Sequence, residues 1–119
     1  MRKIKFRVWS LKNSHWVTLT ALDLEGRVCI GYSEPDDFVT QQFTGVLDRN
    51  NKEIYEGDLV RVFNSDGEDY HKQTSEVFYS SRWAQFELKM TGNSLAYYLV
   101  QYGSLEVVGN VFENPELLK

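Results

Sequence analysis

The chain has 119 residues, 13 basic and 17 acidic, which gives a formal net charge of −4. That length fits one domain, which can bury roughly two-thirds of its unfolded surface without a disulfide or a metal. One cysteine, Cys29, excludes a disulfide framework and a cysteine zinc site, and no apolar run reaches the ~20 residues of a membrane span. We therefore expect a single domain over residues 1–119, in the cytoplasm, with no cofactor.

The charges are unevenly distributed along the chain. Residues 1–20 hold five basic residues and no acid, whereas residues 21–70 hold four basic and twelve acidic residues. A domain that binds nucleic acid over its whole surface usually carries a basic surplus. The net negative charge therefore argues against broad electrostatic binding to DNA and leaves only the basic N-terminal segment as a candidate contact.

The N-terminal third is predicted to consist of short strands. Polarity alternates over residues 3–9, which is typical of a half-buried strand. Its apolar face would carry Ile4, Phe6 and Val8, and its other face Lys3, Lys5, Arg7 and Trp9. Further strands are predicted at 16–20, 28–30 and 38–44, and turn-forming or polar segments separate them.

The run from Phe43 to Val62 predicts a strand, a hairpin turn, a strand, a tight corner and another strand. Residues 48–51 form the turn, where asparagine tolerates left-handed backbone angles. Gly57 lies where a residue without a Cβ makes a sharp corner at low cost. We expect Asp58 to accept backbone N–H bonds around that corner.

The remaining residues predict three more strands, a helix and a final strand. The strands cover 59–63, 76–79 and 83–90, with a hairpin turn at 64–67. Helical spacing marks the next segment, which Ser94 would cap and Gly103 would end; its apolar face comprises Leu95, Tyr98, Leu99 and Tyr102. A last strand covers 105–112, interrupted by Gly109, and Pro115 would open a helical turn.

Together these elements predict a mainly β fold, α+β at most. We expect a partly open antiparallel β-barrel with one short helix near 94–102 and a C-terminal helical turn.

Three blocks of the chain resemble the YopX family, whose members are encoded mainly by bacteriophages, prophages and related mobile elements. The blocks are RKIKFRVW at 2–9, FTGVLDRNNKEIYEGDLV at 43–60 and EVVGNVFENPEL at 106–117. Segments 10–40 and 64–100 match less closely, and Asn51 stands where the family usually has glycine. The resemblance implies a phage or prophage product in a bacterial cytoplasm. It implies no activity, because the family has no established biochemical function. The distinctive residues of the blocks are interpreted as structural: Gly45, Asn51, Gly57, Asp58 and Gly109.

The basic N-terminal strand is the first candidate for a surface that binds a partner. Lys3, Lys5 and Arg7 would lie about 6.7 Å apart along one face, which suits successive phosphates of a single nucleic acid strand. Trp9 would offer a stacking surface beside them. Two structural alternatives stay open, an edge strand protected by lysines and pairing with the acids of residues 34–69.

Two aromatic residues in the second half are the other candidates. Tyr98 and Tyr102 fall on the apolar face of the predicted helix, but Tyr97 does not, and Trp83 lies on an otherwise polar strand face. Exposed aromatic residues are enriched at protein interfaces. An interface and burial in the core are therefore both open for Trp83 and Tyr97.

No catalytic constellation is recognisable. Glu53, Glu56 and Asp58 lack a partner nucleophile, and the spacing of the cluster at 66–71 matches no known metal-binding loop. That cluster comprises Asp66, Glu68, Asp69 and His71. The predicted function is a non-enzymatic interaction module that binds a protein partner or itself. The alternatives are a nucleic-acid accessory protein that uses the basic N-terminal strand, and a small metal-dependent hydrolase or nuclease that uses the acids of the cluster.

Overall fold

The computed structural model describes residues 3–17, 37–69 and 72–118. The chain divides into two compact units, Met1–Phe43 and Thr44–Lys119. The strand predicted at 28–30, Cys29 and His71 lie outside the described residues. Within the described ranges, no helix is both long and apolar enough to cross a membrane.

The first unit is built from antiparallel strands. Strand β1 (Phe6–Ser10) pairs on one side with β2 (His15–Val17) and on the other with the beginning of β3 (Phe38–Leu47). Asp37 holds the turn after β1, because its carboxylate accepts the Ser10 hydroxyl at 3.0 Å and the backbone N–H of Lys12 at 2.6 Å. A hydrogen bond between buried Ser10 and half-buried Asp37 therefore fixes the β1–β2 turn to the residue that precedes β3.

The second unit contains the other strands and the helix. They are β4 (Glu53–Tyr55), β5 (Asp58–Asn64), β6 (Ser75–Ser80), β7 (Gln85–Leu88), α1 (Leu95–Gln101) and β8 (Gly103–Asn110). The described strands form two four-stranded sheets, with the orders β2-β1-β3-β4 and β7-β6-β5-β8. Every pairing with a described register is antiparallel. The predicted mainly β class is confirmed.

The core of the second unit lies between one face of the β7-β6-β5-β8 sheet and α1. Alternation along β5 directs Val60 and Val62 to this face, and helical spacing places Leu95 and Tyr98 opposite them. The buried cluster comprises Ile54, Val60, Val62, Val77, Leu88, Leu95, Tyr98 and Leu105. Burial of this apolar surface is the main stabilising contribution, at about 25 cal/mol per Å².

The predicted helix and C-terminal turn are confirmed. The Ser94 hydroxyl accepts the Tyr97 N–H at 3.2 Å, so Ser94 is the N-cap of α1. Gly103 follows the C-terminal end of the helix with a φ of +141°. A 3-10 turn covers Pro115–Leu118 and is opened by proline, as the sequence predicts.

The strand predicted at 83–90 is shorter than expected. Ser80 pairs with Gln85, so residues 81–84 form the connection between β6 and β7. Ala84 has a φ of +52° and is exposed, which is incompatible with the predicted apolar strand face. The alternation of apolar and polar residues extends beyond both ends of β7. The hairpin loop before β7 has the same alternation, so the pattern does not show where the strand begins.

Candidate functional site

The β3–β4 turn is organised by one buried carboxylate. Asp48 Oδ1 accepts the backbone N–H groups of Asn50 at 2.8 Å and Lys52 at 2.9 Å, and Oδ2 accepts that of Val107 at 3.0 Å. Val107 lies in β8, so one side chain fixes the turn and binds it to the strand at a sheet edge. Asn51 has a φ of +65°, which confirms the expected left-handed residue of the turn. The sequence did not predict the long-range hydrogen bond to Val107. Aspartate at the first position of a turn indicates only the local hydrogen bonds within that turn.

The corner at Gly57 is confirmed as a structural feature. Gly57 has a φ of +84°, its N–H donates to the Val77 carbonyl at 2.7 Å, and its carbonyl accepts the Val111 N–H at 2.9 Å. Asp58 is 2% exposed and accepts the Tyr55 N–H at 2.7 Å, as expected for a residue that supports the corner. The carboxylate of Asp58 is therefore directed to the backbone of its own loop.

The C-terminal block forms a compact turn in which glycine is required by a close approach. A Cβ on Gly109 would lie 2.6 Å from Asn114 Oδ1 and 2.8 Å from Asn114 Cβ. Asn110 Oδ1 accepts the N–H groups of Phe112 at 3.0 Å and Glu113 at 2.9 Å. Side-chain oxygens thus accept hydrogen bonds from the backbone N–H groups that follow β8. The block at 106–117 therefore has a structural role.

The described acids of the cluster predicted at 66–71 lie in a turn and in an ion pair. Asp66 and Glu68 are exposed in a turn held by Asn64, and Asp69 Oδ2 pairs with Arg61 Nη1 at 2.7 Å. In the part of the chain that the structure describes, no group of three His, Cys, Asp or Glu side chains could hold a metal ion. The hydrolase hypothesis therefore receives no support from the arrangement of these acids.

The basic N-terminal strand differs from the prediction in its start and in both faces. Strand β1 begins at Phe6, so Lys3 and Lys5 precede it. Trp9 is only 7% exposed, because β2 places Trp16 opposite it with the two ring centroids 4.9 Å apart. The Arg7 guanidinium covers the Trp16 ring at 4.4 Å and donates to Gln41 at 2.9 Å. The expectation that Trp9 offers an exposed ring is wrong, since pairing within the sheet fills that face. The assumed apolar face is wrong at Ile4, which is 60% exposed.

Trp83 is exposed, and it lies at the tip of the β6–β7 hairpin instead of on a strand face. The residue is 64% exposed, and the guanidinium of Arg82 lies 5.2 Å from its ring centroid. Tyr79, near the tip on β6, is 47% exposed and packs edge-on against Phe86 of β7 at 5.3 Å. We call Tyr79, Arg82, Trp83 and Phe86 the aromatic hairpin. Tyr79 and Arg82 are absent from the predicted surface, because the sequence predicted a strand over 83–90 and did not mark the four-residue loop that ends the hairpin.

Tyr97 lies on the outer side of α1. It is 39% exposed, and its ring packs edge-on against Tyr98 at 5.4 Å and Tyr102 at 6.3 Å. Tyr98 is 1% exposed, and Tyr102 is half-buried against the core, so both residues lie on the core side of the helix, as predicted. The structure thus places the predicted interaction residues in separate elements: Trp9 inside the first unit, Trp83 on a hairpin and Tyr97 on the helix.

Burial of Tyr98 leads to a prediction for alkaline pH. Burial raises the pKa of its hydroxyl above the ordinary value of 10.0, and a hydrogen bond with Asn93 lowers the pKa by less. Above pH ~10 the unfolded chain loses this proton while the folded chain keeps it, so the free energy of unfolding should fall as the pH rises. Urea unfolding between pH 9 and about 11 should show this decline, and Tyr98→Phe should reduce its slope.

Tyr98→Phe should also lower the free energy of unfolding at neutral pH. The Tyr98 hydroxyl also bonds the Thr91 hydroxyl, and loss of that bond should lower the free energy of unfolding by about 1 kcal/mol. Tyr97→Phe, which removes an exposed hydroxyl from the same helix, is the control. A Tyr98→Phe variant with the wild-type slope would contradict the assignment.

Comparison with known proteins identifies one family and its fold. A family model described as YopX protein matches residues 5–119. The crystal structure of protein EF1440 from Enterococcus faecalis is 22% identical, with 100% of each chain covered and a TM-score of 0.71. Protein yopX from Bacillus subtilis is 19% identical, with 100% of this chain and 98% of that chain covered and a TM-score of 0.59. Identities this low show a shared fold alone. No curated protein matches the chain.

Proposed function

This chain belongs to the YopX family, and we propose that it is a non-enzymatic module that binds a protein partner through the aromatic hairpin. We place it, as a phage or prophage product, in a bacterial cytoplasm. The observation that carries the proposal is the 64% exposure of Trp83 at the hairpin tip. An indole ring that is exposed to water buries little apolar surface, so Trp83 contributes little to the stability of the fold.

The composition of the aromatic hairpin is that of a binding hot spot. Trp, Tyr and Arg are the residue types whose truncation most often costs more than roughly 2 kcal/mol of binding energy. Arg82 lies 5.2 Å from the Trp83 ring centroid and can present a positive charge beside a flat apolar surface. Between residues 79 and 86 Arg82 is the only charged residue. These features suit a partner with an apolar pocket and a carboxylate at its rim.

The loop that carries Trp83 is held by its flanking strands. Ser80 pairs with Gln85 on either side of it, and the Ser80 hydroxyl accepts the Trp83 N–H at 3.4 Å. Tyr79 and Phe86 pack across the two strands directly below the tip. Because the backbone is ordered before a partner arrives, less conformational entropy is lost on binding.

The burial of Trp9 weakens the nucleic-acid alternative, because Trp9 is the ring predicted to stack beside the cations. Lys3 and Lys5 precede β1, so Arg7 alone of the three predicted cations lies in the strand. Base stacking contributes about 1–3 kcal/mol per base in single-strand binding, so a surface without it depends on phosphate contacts alone. On a chain with a net charge of −4, we favour the protein partner.

Photo-crosslinking tests the proposal in bacterial cells. The full chain would carry a photoreactive phenylalanine analogue at position 83, and a matched control would carry it at Leu47, which is 49% exposed in β3. We expect protein adducts at position 83 that are absent at position 47. With the captured protein purified, Trp83→Ala should weaken its binding at least tenfold, while Leu47→Ala leaves it unchanged.

The fold of the variants must be checked separately. Because Trp83 is largely exposed, Trp83→Ala should change the free energy of unfolding by no more than about 0.5 kcal/mol. Equal adducts at positions 83 and 47 would count against the proposal. Adducts at 83 that nuclease digestion removes would favour the nucleic-acid alternative instead.

A further inference from the structure

The segment around α1 has an unusual composition for an exposed part of this protein. A quarter of the chain is charged, yet the sixteen residues from Met90 to Leu105 include no Asp, Glu, Lys or Arg. Surface helices of soluble proteins normally carry charged side chains on the side that faces solvent. The absence of charge here therefore calls for an explanation other than burial against the core.

The outer face of α1 is exposed and uncharged. Four exposed residues at helical spacing form it, and Val100 is 81% exposed while Tyr97 is 39% exposed. We call Ala96, Tyr97, Val100 and Gln101 the outer face of α1. The opposite side of the helix buries Leu95 and Tyr98 in the core. The face is thus presented outward by a helix that is anchored from behind.

The outer face is also held rigidly. The Tyr97 ring contacts both Tyr98 and Tyr102, which stack on each other with a centroid distance of 6.0 Å. Tyr97 therefore loses little side-chain freedom when a partner covers it. Aromatic side chains of this kind supply contact area at low entropic cost.

We propose that the outer face of α1 binds a second copy of this chain, helix against helix about a two-fold axis. Two copies that each carry a net charge of −4 repel wherever their charged surfaces meet. The outer face of α1 avoids that repulsion, because it brings no charge to the contact. In an isologous contact the same patch meets itself, and the residues at the two-fold axis lie against their own equivalents. We place Val100 at that axis because it is 81% exposed near the centre of the uncharged segment. This inference rests on the proposed function, since it names one partner of an interaction module, but it uses a different surface.

The size of the face predicts weak association. A seven-residue helix is about 10 Å long, so the face offers a few hundred Å², against about 800 Å² per partner in a standard interface. We therefore expect a reversible dimer that forms between roughly 10 μM and 1 mM. A dimer would carry two aromatic hairpins, which raises its apparent affinity for a partner with two sites.

Sedimentation equilibrium over a concentration series tests this inference. Val100→Lys should raise the dimer dissociation constant at least tenfold, because it places like charges at the axis. The helix itself should tolerate the change, since lysine has a higher helix propensity than valine. Leu47→Lys makes the same change in net charge at an exposed residue at the end of β3 and should leave the dissociation constant within about twofold of wild type.

Charge reversal makes the test specific for a second copy. Val100→Lys and Val100→Glu chains should each stay monomeric when alone and should associate when mixed, because opposite charges then face each other. A wild-type chain that stays monomeric at about 1 mM, the top of the predicted concentration range, would overturn the inference. So would a Val100→Lys chain that dimerises like wild type, or an equal loss in Leu47→Lys. Adducts at position 83 in the Val100→Lys chain would show that the proposed function stands even where this inference fails.

Discussion

Replacing Asp48 with alanine is expected to lower the free energy of unfolding by about 3 kcal/mol. The Asp48 carboxylate is buried and accepts three backbone N–H groups, from Asn50, Lys52 and Val107. Removing it leaves the Val107 donor at a sheet edge without its acceptor and frees the turn at the same time. An unsatisfied buried donor costs about 1–3 kcal/mol by itself, so the total exceeds that of an ordinary surface substitution. Urea unfolding monitored by tryptophan fluorescence would measure the change.

Two further variants show whether the effect comes from these hydrogen bonds. Asp48→Asn keeps one acceptor oxygen and should lose about half as much stability as alanine. Asp66→Ala removes a carboxylate from the turn at 64–67, where Asp66 is exposed, and should cost no more than about 0.5 kcal/mol. Similar losses for Asp48→Ala and Asp66→Ala would show that Asp48 has no special structural role.

Replacing Gly109 with alanine is expected to cost about 2 kcal/mol, although the backbone there needs no left-handed angle. The added Cβ would lie 2.6 Å from Asn114 Oδ1 and 2.8 Å from Asn114 Cβ and Cγ, closer than non-bonded atoms approach. Asn114 cannot move freely, because its N–H donates to the Asn110 carbonyl at 2.9 Å and its carbonyl accepts the Leu117 N–H at 3.1 Å. The C-terminal turn must therefore shift to admit a methyl group. Thermal and urea unfolding of the variant would measure the loss.

A double variant identifies the contact that causes the loss. Asn114→Gly removes the opposing side chain, so Gly109→Ala should cost much less in that background than in the wild type. Gly45→Ala is a useful contrast, because no atom lies within 4 Å of its added Cβ and only its φ of +88° opposes the change. Gly45→Asn should therefore be tolerated better than Gly45→Ala, whereas Gly109→Asn should be worse than Gly109→Ala. Additive costs of Gly109→Ala and Asn114→Gly would contradict the predicted clash.

These predictions separate the framework of the protein from its candidate binding surfaces. Asp48, Gly57, Asp58 and Gly109 lie in the blocks that carry the family resemblance, and each has a structural partner in the backbone or a neighbouring side chain. The aromatic hairpin and the outer face of α1 lie mostly in segments that match the family less closely. We therefore expect relatives to share the framework and to differ in what they bind.

The local elements could be predicted from the sequence because neighbouring residues determine them. The turn at 48–51, the corner at Gly57, the cap at Ser94 and the turn at Pro115 each depend on chemistry within a few positions. The helix at 95–101 could be predicted because its apolar spacing and its capping residue agree. Agreement between independent local signals is what makes such predictions dependable.

Tertiary structure alone decided which candidate residues are exposed. Trp9 and Trp83 read alike in the sequence, as rings on otherwise polar strand faces, yet Trp9 is 7% and Trp83 64% exposed. The difference arises because β2 places Trp16 against Trp9, whereas a four-residue loop carries Trp83 beyond the last pair of its hairpin. The same holds for Asp48, whose bond to Val107 spans 59 positions. Local structural propensity depends on residues that are near in sequence. Burial depends on which distant residues the pairing of strands brings together, and the polarity pattern of one strand does not specify the strand that pairs with it.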